Sequence, residues 1–213
     1  MPGLVIFDCD GVLVDSEPLA NRVMREQLAR VGLSVTAVEC DELLVGRTLN
    51  DCVAIIESHT GGSLPGGFMD NLWDATRIAF DRELLAVSGI TEVLESLSDS
   101  FCVASSGGRD KICHSLRLTS LAGYFPAERI FSAEEVERGK PAPDLFLMAA
   151  EKMGFETHDC VVVEDSVPGV EAARSAGMNV LGYAARTSAG KLTTAGAVVF
   201  SQMQQLPALL KTA

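Results

Sequence analysis

The feature that most constrains this chain is a short apolar run that stops on acids: Leu4-Val5-Ile6-Phe7, followed at once by Asp8-Cys9-Asp10-Gly11. Consecutive apolar residues without alternation mark a strand covered on both faces, which is the habit of parallel sheets sandwiched between helices. Such strands deliver the residues after them to the C-terminal edge of the sheet, where α/β proteins bind their ligands. Two carboxylates one residue apart repel each other, and they persist at that edge only if a cation or a shared proton compensates them. The rest of the chain must therefore supply compensating groups.

A second intensely apolar strand, Cys160-Val161-Val162-Val163, also runs into acids, Glu164 and Asp165. Further strands are predicted at Phe101–Ser105, Arg129–Ser132, Asn179–Tyr183 and Ala197–Phe200. They alternate with helices at Thr91–Leu97, Arg109–Leu116, Pro143–Met153 and Val167–Ala176, and a terminal helix. This alternation implies right-handed crossovers and a parallel sheet. Residues 16–87 carry no strand signal. Ser16-Glu17-Pro18 opens a helix with Leu19, Ala20, Val23, Met24, Leu28 and Val31 at helical spacing, and helices follow over Val38–Val45, Asn50–Ser58 and, after the glycine-rich loop Gly61–Gly67, Phe68–Leu85. The predicted class is α/β: a Rossmann-like parallel-sheet core from residues 1–15 and 88–213, with a small helical cap domain, 16–87, inserted into it.

With 29 acidic and 17 basic residues among 213, the formal charge is −12. That balance disfavours nucleic acid and anionic membrane surfaces, both of which need basic patches. The six cysteines are far apart and form no CxxC pair, so they read as small buried hydrophobes, Cys9, Cys102 and Cys160 above all, in a reducing and hence cytoplasmic compartment. Met1-Pro2-Gly3 leads straight into the first strand without a basic stretch, and no apolar segment approaches the length of a membrane span, so neither signal peptide nor membrane partner is expected. Oligomeric state is not legible.

Polar groups stand at four strand ends or loops that a parallel sheet brings to one edge: Asp8 and Asp10; Ser105 with Ser106 and the Gly107-Gly108 pair; Lys140 in Gly139-Lys140-Pro141-Ala142-Pro143-Asp144; and Glu164 with Asp165. Acids from two strand ends suit Mg²⁺, which takes a few carboxylates and leaves room for water and a phosphate oxygen. Lys140, the Ser105 hydroxyl and the amides of Ser106 and Gly107 suit the phosphate itself. Pro141 and Pro143 stiffen the loop of Lys140.

These four segments, in this order, resemble the four motifs of the haloacid dehalogenase superfamily of phosphohydrolases, in the subgroup of β-phosphoglucomutase and phosphoglycolate phosphatase. The matches are Asp8 to Glu17, Val103 to Ser106, Gly139 to Asp144 and Val163 to Ser166, so that the likeness spans essentially the whole chain. The resemblance implies a phosphatase in which Asp8 is the nucleophile, forming an aspartyl-phosphate, and Asp10 the acid and base. Mg²⁺ would be held by Asp8, the backbone carbonyl of Asp10 and Asp165, with Glu164 assisting directly or through water, and Lys140 would neutralise charge. An acid at both positions of the first motif argues against dehalogenation. In the mutases of the subgroup a cap arginine stands three residues after a glycine, whereas here Arg47 follows Gly46 directly and Leu49 holds the mutase position. The expected activity is Mg²⁺-dependent hydrolysis of a phosphate monoester of a small metabolite, a sugar phosphate or phosphocarboxylic acid. A phosphotransferase and a catalytically silent ligand-binding protein are the alternatives.

Arg47 and Arg77 are the cap cations that could touch substrate, against an ordinary role as surface charges. Asp15 and Glu17 belong more simply to the hinge and first cap turn. His59, His114 and His158 read as exposed, Trp73 as packing within the cap, and Glu134-Glu135-Val136-Glu137 as a solvated face.

Overall fold

A computed structural model describes residues 2–44, 49–98 and 100–212; Arg47 lies outside them. The chain divides into two compact units, Met1–Asp15 with Leu85–Ala213, and Ser16–Leu84.

The larger unit is a six-stranded sheet: β1 (Leu4–Phe7), β2 (Ser100–Ser105), β3 (Ile130–Ser132), β4 (Cys160–Glu164), β5 (Asn179–Tyr183) and β6 (Val198–Phe200). The order is β3-β2-β1-β4-β5-β6, and every neighbouring pair is parallel. Strand order therefore reverses between β1 and β4, the position where the ends of two strands diverge and leave a crevice. Leu4, Ile6, Cys102, Ala104, Cys160 and Val162 share one buried cluster with Leu145, Phe146, Ala149 and Val170. Phe7 meets Phe101 edge-on at 6.3 Å between ring centroids, and Phe101 meets Phe125 at 5.4 Å. All four residues of β1 are fully buried, which explains why its sequence does not alternate.

Around the sheet run α5 (Ile90–Ser96), α6 (Arg109–Leu118), α7 (Asp144–Met153), α8 (Val167–Ser175), α9 (Ala189–Ala195) and α10 (Leu206–Leu210). The sequence gives no prediction for α9. It is seven residues long, contains Gly190, Thr193 and Thr194, and buries only Leu192, so it carries almost no helical apolar period.

The smaller unit holds α1 (Glu17–Arg30), α2 (Ala37–Leu44), α3 (Leu49–Thr60) and α4 (Phe68–Glu83). Its own apolar cluster gathers Leu28, Cys40, Ile56 and Phe68, and a second joins Val23, Leu72 and Ala79. Arg22 grips the Glu83 carboxylate with both terminal nitrogens, at 2.9 and 2.6 Å, tying α1 to the end of α4. Trp73, expected to pack inside this unit, is instead 56% exposed: α4 turns Phe68, Leu72, Ala79 and Phe80 inward, and Trp73 falls on the neighbouring face.

All six cysteines are free thiols, with Cys9, Cys40, Cys102 and Cys160 buried. Among the described residues no helix is long and apolar enough to cross a membrane.

Candidate active site

The larger unit concentrates its buried charge at the C-terminal ends of β1 and β4. Asp8 follows β1 directly, and its amide donates to the Val163 carbonyl at 2.9 Å, carrying the β1–β4 ladder one residue beyond the strand. Glu164 is the last residue of β4. Lys140 reaches both: its Nζ lies 2.5 Å from Asp8 Oδ1, 2.7 Å from Glu164 Oε1 and 3.2 Å from the Ala104 carbonyl oxygen. The ammonium also sits 4.9 Å from the centroid of the Phe146 ring. The loop that carries it is pinned at its base, where Arg138 donates twice to Asp144, the first residue of α7.

The Lys140 side chain is 4% exposed, with Glu164 at 1% and Asp8 at 10%. Burial alone would lower the ammonium's pKa, but the facing Asp8 and Glu164 carboxylates reverse this and hold it above its usual value. Asp8 goes the other way for an acid: desolvation, opposed by Lys140 but reinforced by Glu164, pushes it up from 3.8 to about 7.

Glu164, expected as a metal ligand, has its carboxylate taken up by protein donors. Oε1 receives Lys140, and Oε2 accepts the amides of Asp165 and Ser166 and the Ser166 hydroxyl at 2.8–2.9 Å. Ser166 in turn caps α8 by accepting the Gly169 amide. A Cβ on Gly169 would come within 1.7 Å of Glu164 Oε1, so α8 must begin with a glycine there to let the acid in. Glu164 is thus a buried counter-ion sitting on a helix N-terminus, which favours its negative charge.

Asp165 is buried beside the turn that follows β1. Gly11 has φ of +81°, and a Cβ there would lie 2.0 Å from Asp165 Oδ2, so only glycine permits the acid this close to the Asp8–Asp10 segment. That turn is rigid: the Gly11 amide donates to the Val14 carbonyl, and Leu13 and Val14 both donate to that of Cys9.

Asp10 faces a different cation. Lys111 Nζ donates to its Oδ2 at 2.7 Å, and this pair is more open, with the lysine side chain 40% exposed. Burial would depress Lys111, but Asp10 outweighs it and keeps the ammonium above its ordinary value. Lys111 is a residue of this edge that the sequence does not single out. Its only signal was a lysine in the first turn of the helix that starts after the Ser105 loop, a position that returns to the same sheet edge.

Ser105 is buried at the end of β2, and its Oγ accepts the Gly107 amide at 3.1 Å. The Gly107 N–H, expected to meet a phosphate, is thereby spent locally, and its carbonyl accepts from the Ser132 hydroxyl. Gly107 still matters through its size: a Cβ would touch Ser105 Oγ at 3.5 Å and lie 3.8 Å from Asp10 Oδ2. Ser106 is exposed in the same turn. The acidic stretch after β3 is not merely a solvated face. Glu134 accepts the Arg109 amide at the start of α6, and Glu135 accepts both the Ser132 amide and the Arg109 guanidinium.

Arg77 lies on α4 in the smaller unit, paired at 3.8 and 3.9 Å with Asp74 and Asp81.

The donor set suits a hard cation. Asp8 and Asp165 bring two buried carboxylates to this edge, beside Glu164, whose oxygens serve Lys140 and the start of α8. Among the described residues no three His, Cys, Asp or Glu side chains converge as a ready-made cage. Mg²⁺ binds through one or two carboxylates, with water and substrate oxygens completing its shell, and so fits such a site.

The model of the haloacid dehalogenase-like hydrolases matches residues 5–183. The 6-phosphogluconate phosphatase of Escherichia coli (strain K12) is 31% identical over 208 residues, covering 97% of this chain and 94% of its own. A conserved haloacid dehalogenase-like protein of unknown function from Agrobacterium tumefaciens str. C58 superposes with a TM-score of 0.90 at 34% identity, covering 100% and 99% of the two chains. A family hydrolase from Deinococcus radiodurans R1, solved with bound phosphate and sodium, gives 0.86 at 30% identity over 99% and 95%. The chain belongs to the haloacid dehalogenase-like hydrolases. Within them it is an enzyme of the phosphatase type, a phosphoric monoester hydrolase.

Proposed function

We propose that this chain hydrolyses the phosphate monoester of a small sugar or sugar acid through an aspartyl-phosphate on Asp8, with Mg²⁺ as cofactor. The observation that carries the reading is the bridge from Lys140 to both Asp8 and Glu164. It fixes a carboxylate at the strand-order reversal, holds one of its oxygens, and leaves the other to attack phosphorus.

Asp8 forms the new O–P bond while the bond from phosphorus to the ester oxygen breaks, and the Asp10 carboxylic acid gives its proton to the departing oxygen. Water then attacks phosphorus, Asp10 takes a proton from it, and phosphate leaves Asp8 as a free carboxylate. Asp8, Asp165 and the backbone carbonyl of Asp10 would hold Mg²⁺. When bound, the ion neutralises phosphoryl oxygen charge, the main requirement of this reaction. Glu164 keeps Lys140 charged and in place rather than serving as a ligand. Ser105, whose oxygen already accepts the Gly107 amide, has its hydroxyl proton left to donate to phosphate, with the Ser106 amide beside it.

Residues 16–84 would act as the substrate-selecting cap, with Arg47 and Arg77 as its candidate contacts for a second anionic or hydroxyl group. The substrate class is supported by the printed activity of the Escherichia coli relative. The test is phosphate release across a panel of phosphorylated sugars, sugar acids and an aryl phosphate, with Mg²⁺ and with excess chelator. Turnover that persists in chelator, or none with any monoester, would contradict the proposal.

A further inference from the structure

Two buried serines, Ser105 and Ser132, stand side by side where β2 and β3 end, partners in the parallel register and 1% and 0% exposed. The functional reading above uses only Ser105. We propose that Ser132 is a positioning residue for the phosphate-binding turn: by holding the Gly107 carbonyl it keeps the Gly107 amide on Ser105 Oγ, and so aims the Ser105 hydroxyl at the phosphoryl group. The assignment rests on the reading of Ser105 as a phosphate donor given above.

Two hydrogen bonds run through one glycine. Ser132 Oγ donates to the Gly107 carbonyl oxygen at 2.8 Å, and the Gly107 amide donates to Ser105 Oγ at 3.1 Å. Glycine has the widest backbone freedom of any residue, so a turn built on it keeps one shape only if its peptide groups are tied down. At Gly107 the N–H is tied to one serine and the C=O to the other. Ser132 is itself held firmly. Its Oγ accepts the Glu134 amide at 3.2 Å and its own amide donates to Glu135 Oε1 at 3.0 Å, a reciprocal cap on the short turn after β3. Glu134 and Glu135 also accept the Arg109 amide and guanidinium, which fastens that turn to the start of α6.

The chemistry follows from what a hydroxyl can do. It has one proton and two lone pairs, and capping the Glu134 amide uses only a lone pair of Ser132. The proton is left for a second bond, and it goes to a carbonyl 25 residues away, so the contact serves the β2 turn and not the cap. At Ser105 the same count applies: the Gly107 amide occupies a lone pair on one side, which leaves the O–H to point elsewhere, toward an anion. Without Ser132 the Gly107 peptide groups turn more freely and the amide leaves Ser105 Oγ for part of the time. The Ser105 hydroxyl then has to be reordered each time phosphate binds.

The experiment titrates inorganic phosphate, by calorimetry in saturating Mg²⁺, into wild type, Ser132→Ala, Ser105→Ala and the double variant. Calorimetry separates affinity from the fraction of protein that is folded, which enters only the stoichiometry, so a partly unfolded variant still reports its affinity. Ser105→Ala should weaken phosphate binding ~10-fold, as loss of a hydrogen bond to a charged group does. Ser132→Ala should weaken it ~3–10-fold in the wild-type background and no more than ~2-fold when Ser105 is already alanine, the non-additivity of residues that act through one another. A general loosening of the fold would give the same loss in both backgrounds. That result, or a Ser132→Ala protein that binds phosphate as wild type does, would overturn the assignment and leave the phosphatase reading intact. A wild type that binds no phosphate would also overturn it; if that protein cleaves no monoester either, the functional reading falls with it.

Discussion

Lys140 Nζ lies 2.5 Å from Asp8 Oδ1 and at the same time 2.7 Å from Glu164 Oε1, so one ammonium joins the ends of β1 and β4. Removing it leaves two buried carboxylates facing each other without a cation. Lys140→Met should therefore cost ~3–5 kcal/mol of stability, the range found when one partner of a buried ion pair is deleted. It should also lower kcat by ~10²-fold or more, as with loss of other preorganised charge-stabilising donors. Urea unfolding and steady-state kinetics read the two effects. A stable, active Lys140→Met protein would remove the bridge from the account.

Glu164 and Asp165 are adjacent acids with different surroundings, and the Mg²⁺ dependence should separate them. Asp165→Asn should raise the Mg²⁺ concentration for half-maximal activity by ~10-fold or more, as loss of a charged ligand does. Glu164→Gln should change that midpoint far less, because its oxygens serve Lys140 and the start of α8. Its main effects should be on stability and kcat. A larger shift in the midpoint for Glu164→Gln than for Asp165→Asn would reverse the assignment.

The metal-free protein should carry a pH signature from Asp8. Burial raises this acid from 3.8 to about 7, so the folded state holds its proton more tightly than the unfolded chain does. The associated stability is complete below pH ~4 and is lost progressively as pH rises to ~7. Asp8→Asn, freed of that charge, should be more stable than wild type in chelator at pH 8, by at most ~4 kcal/mol at 1.36 kcal/mol per pKa unit. The gap should shrink toward pH 4.5 and also on adding Mg²⁺. Thermal melts at the two pH values check it; a gap that does not depend on pH would contradict it.

Two glycines are expected to tolerate no side chain, for reasons visible in the acids beside them. Gly11→Ala would drive a Cβ into Asp165 Oδ2 at a φ of +81°, and Gly169→Ala would meet Glu164 Oε1. Each should destabilise by ~2 kcal/mol or more, combining steric displacement with disturbance of a buried charge. Gly61→Ala is the control: its φ is also positive, but nothing lies within 4 Å, so its cost should stay near the ~1 kcal/mol of backbone strain alone. Denaturation midpoints order the three.

The sheet was legible because β1 and β4 are continuous apolar runs up to the acids that close them, and β2 and β5 are apolar through their buried middles. The convergence of Asp8 and Glu164 was legible for a related reason: the ends of parallel strands share an edge, and the loop from β3 to α7 that carries Lys140 returns to it. What the sequence could not convey was how each acid is used. Glu164 and Asp165 look equivalent in a string, and only the Ser166 cap and the gap at Gly169 separate them. Lys111 was hidden because a lysine in a helix's first turn is ordinarily solvated, and its partner Asp10 lies 101 residues away. Trp73 fell on the exposed side because α4 has enough other apolar residues to fill its buried face.

The central claim is that Asp8 is phosphorylated during turnover, and acid-quenched mass spectrometry beside the Asp8→Asn variant tests it most directly. The wild-type enzyme, stopped during turnover with Mg²⁺ and substrate, should carry one phosphoryl group on the peptide that contains Asp8. Asp8→Asn should carry none and should release phosphate at least ~10⁴-fold more slowly, as expected when a nucleophile is lost. Steady phosphate release by Asp8→Asn near the wild-type rate, with no adduct on the wild-type peptide, would contradict the account.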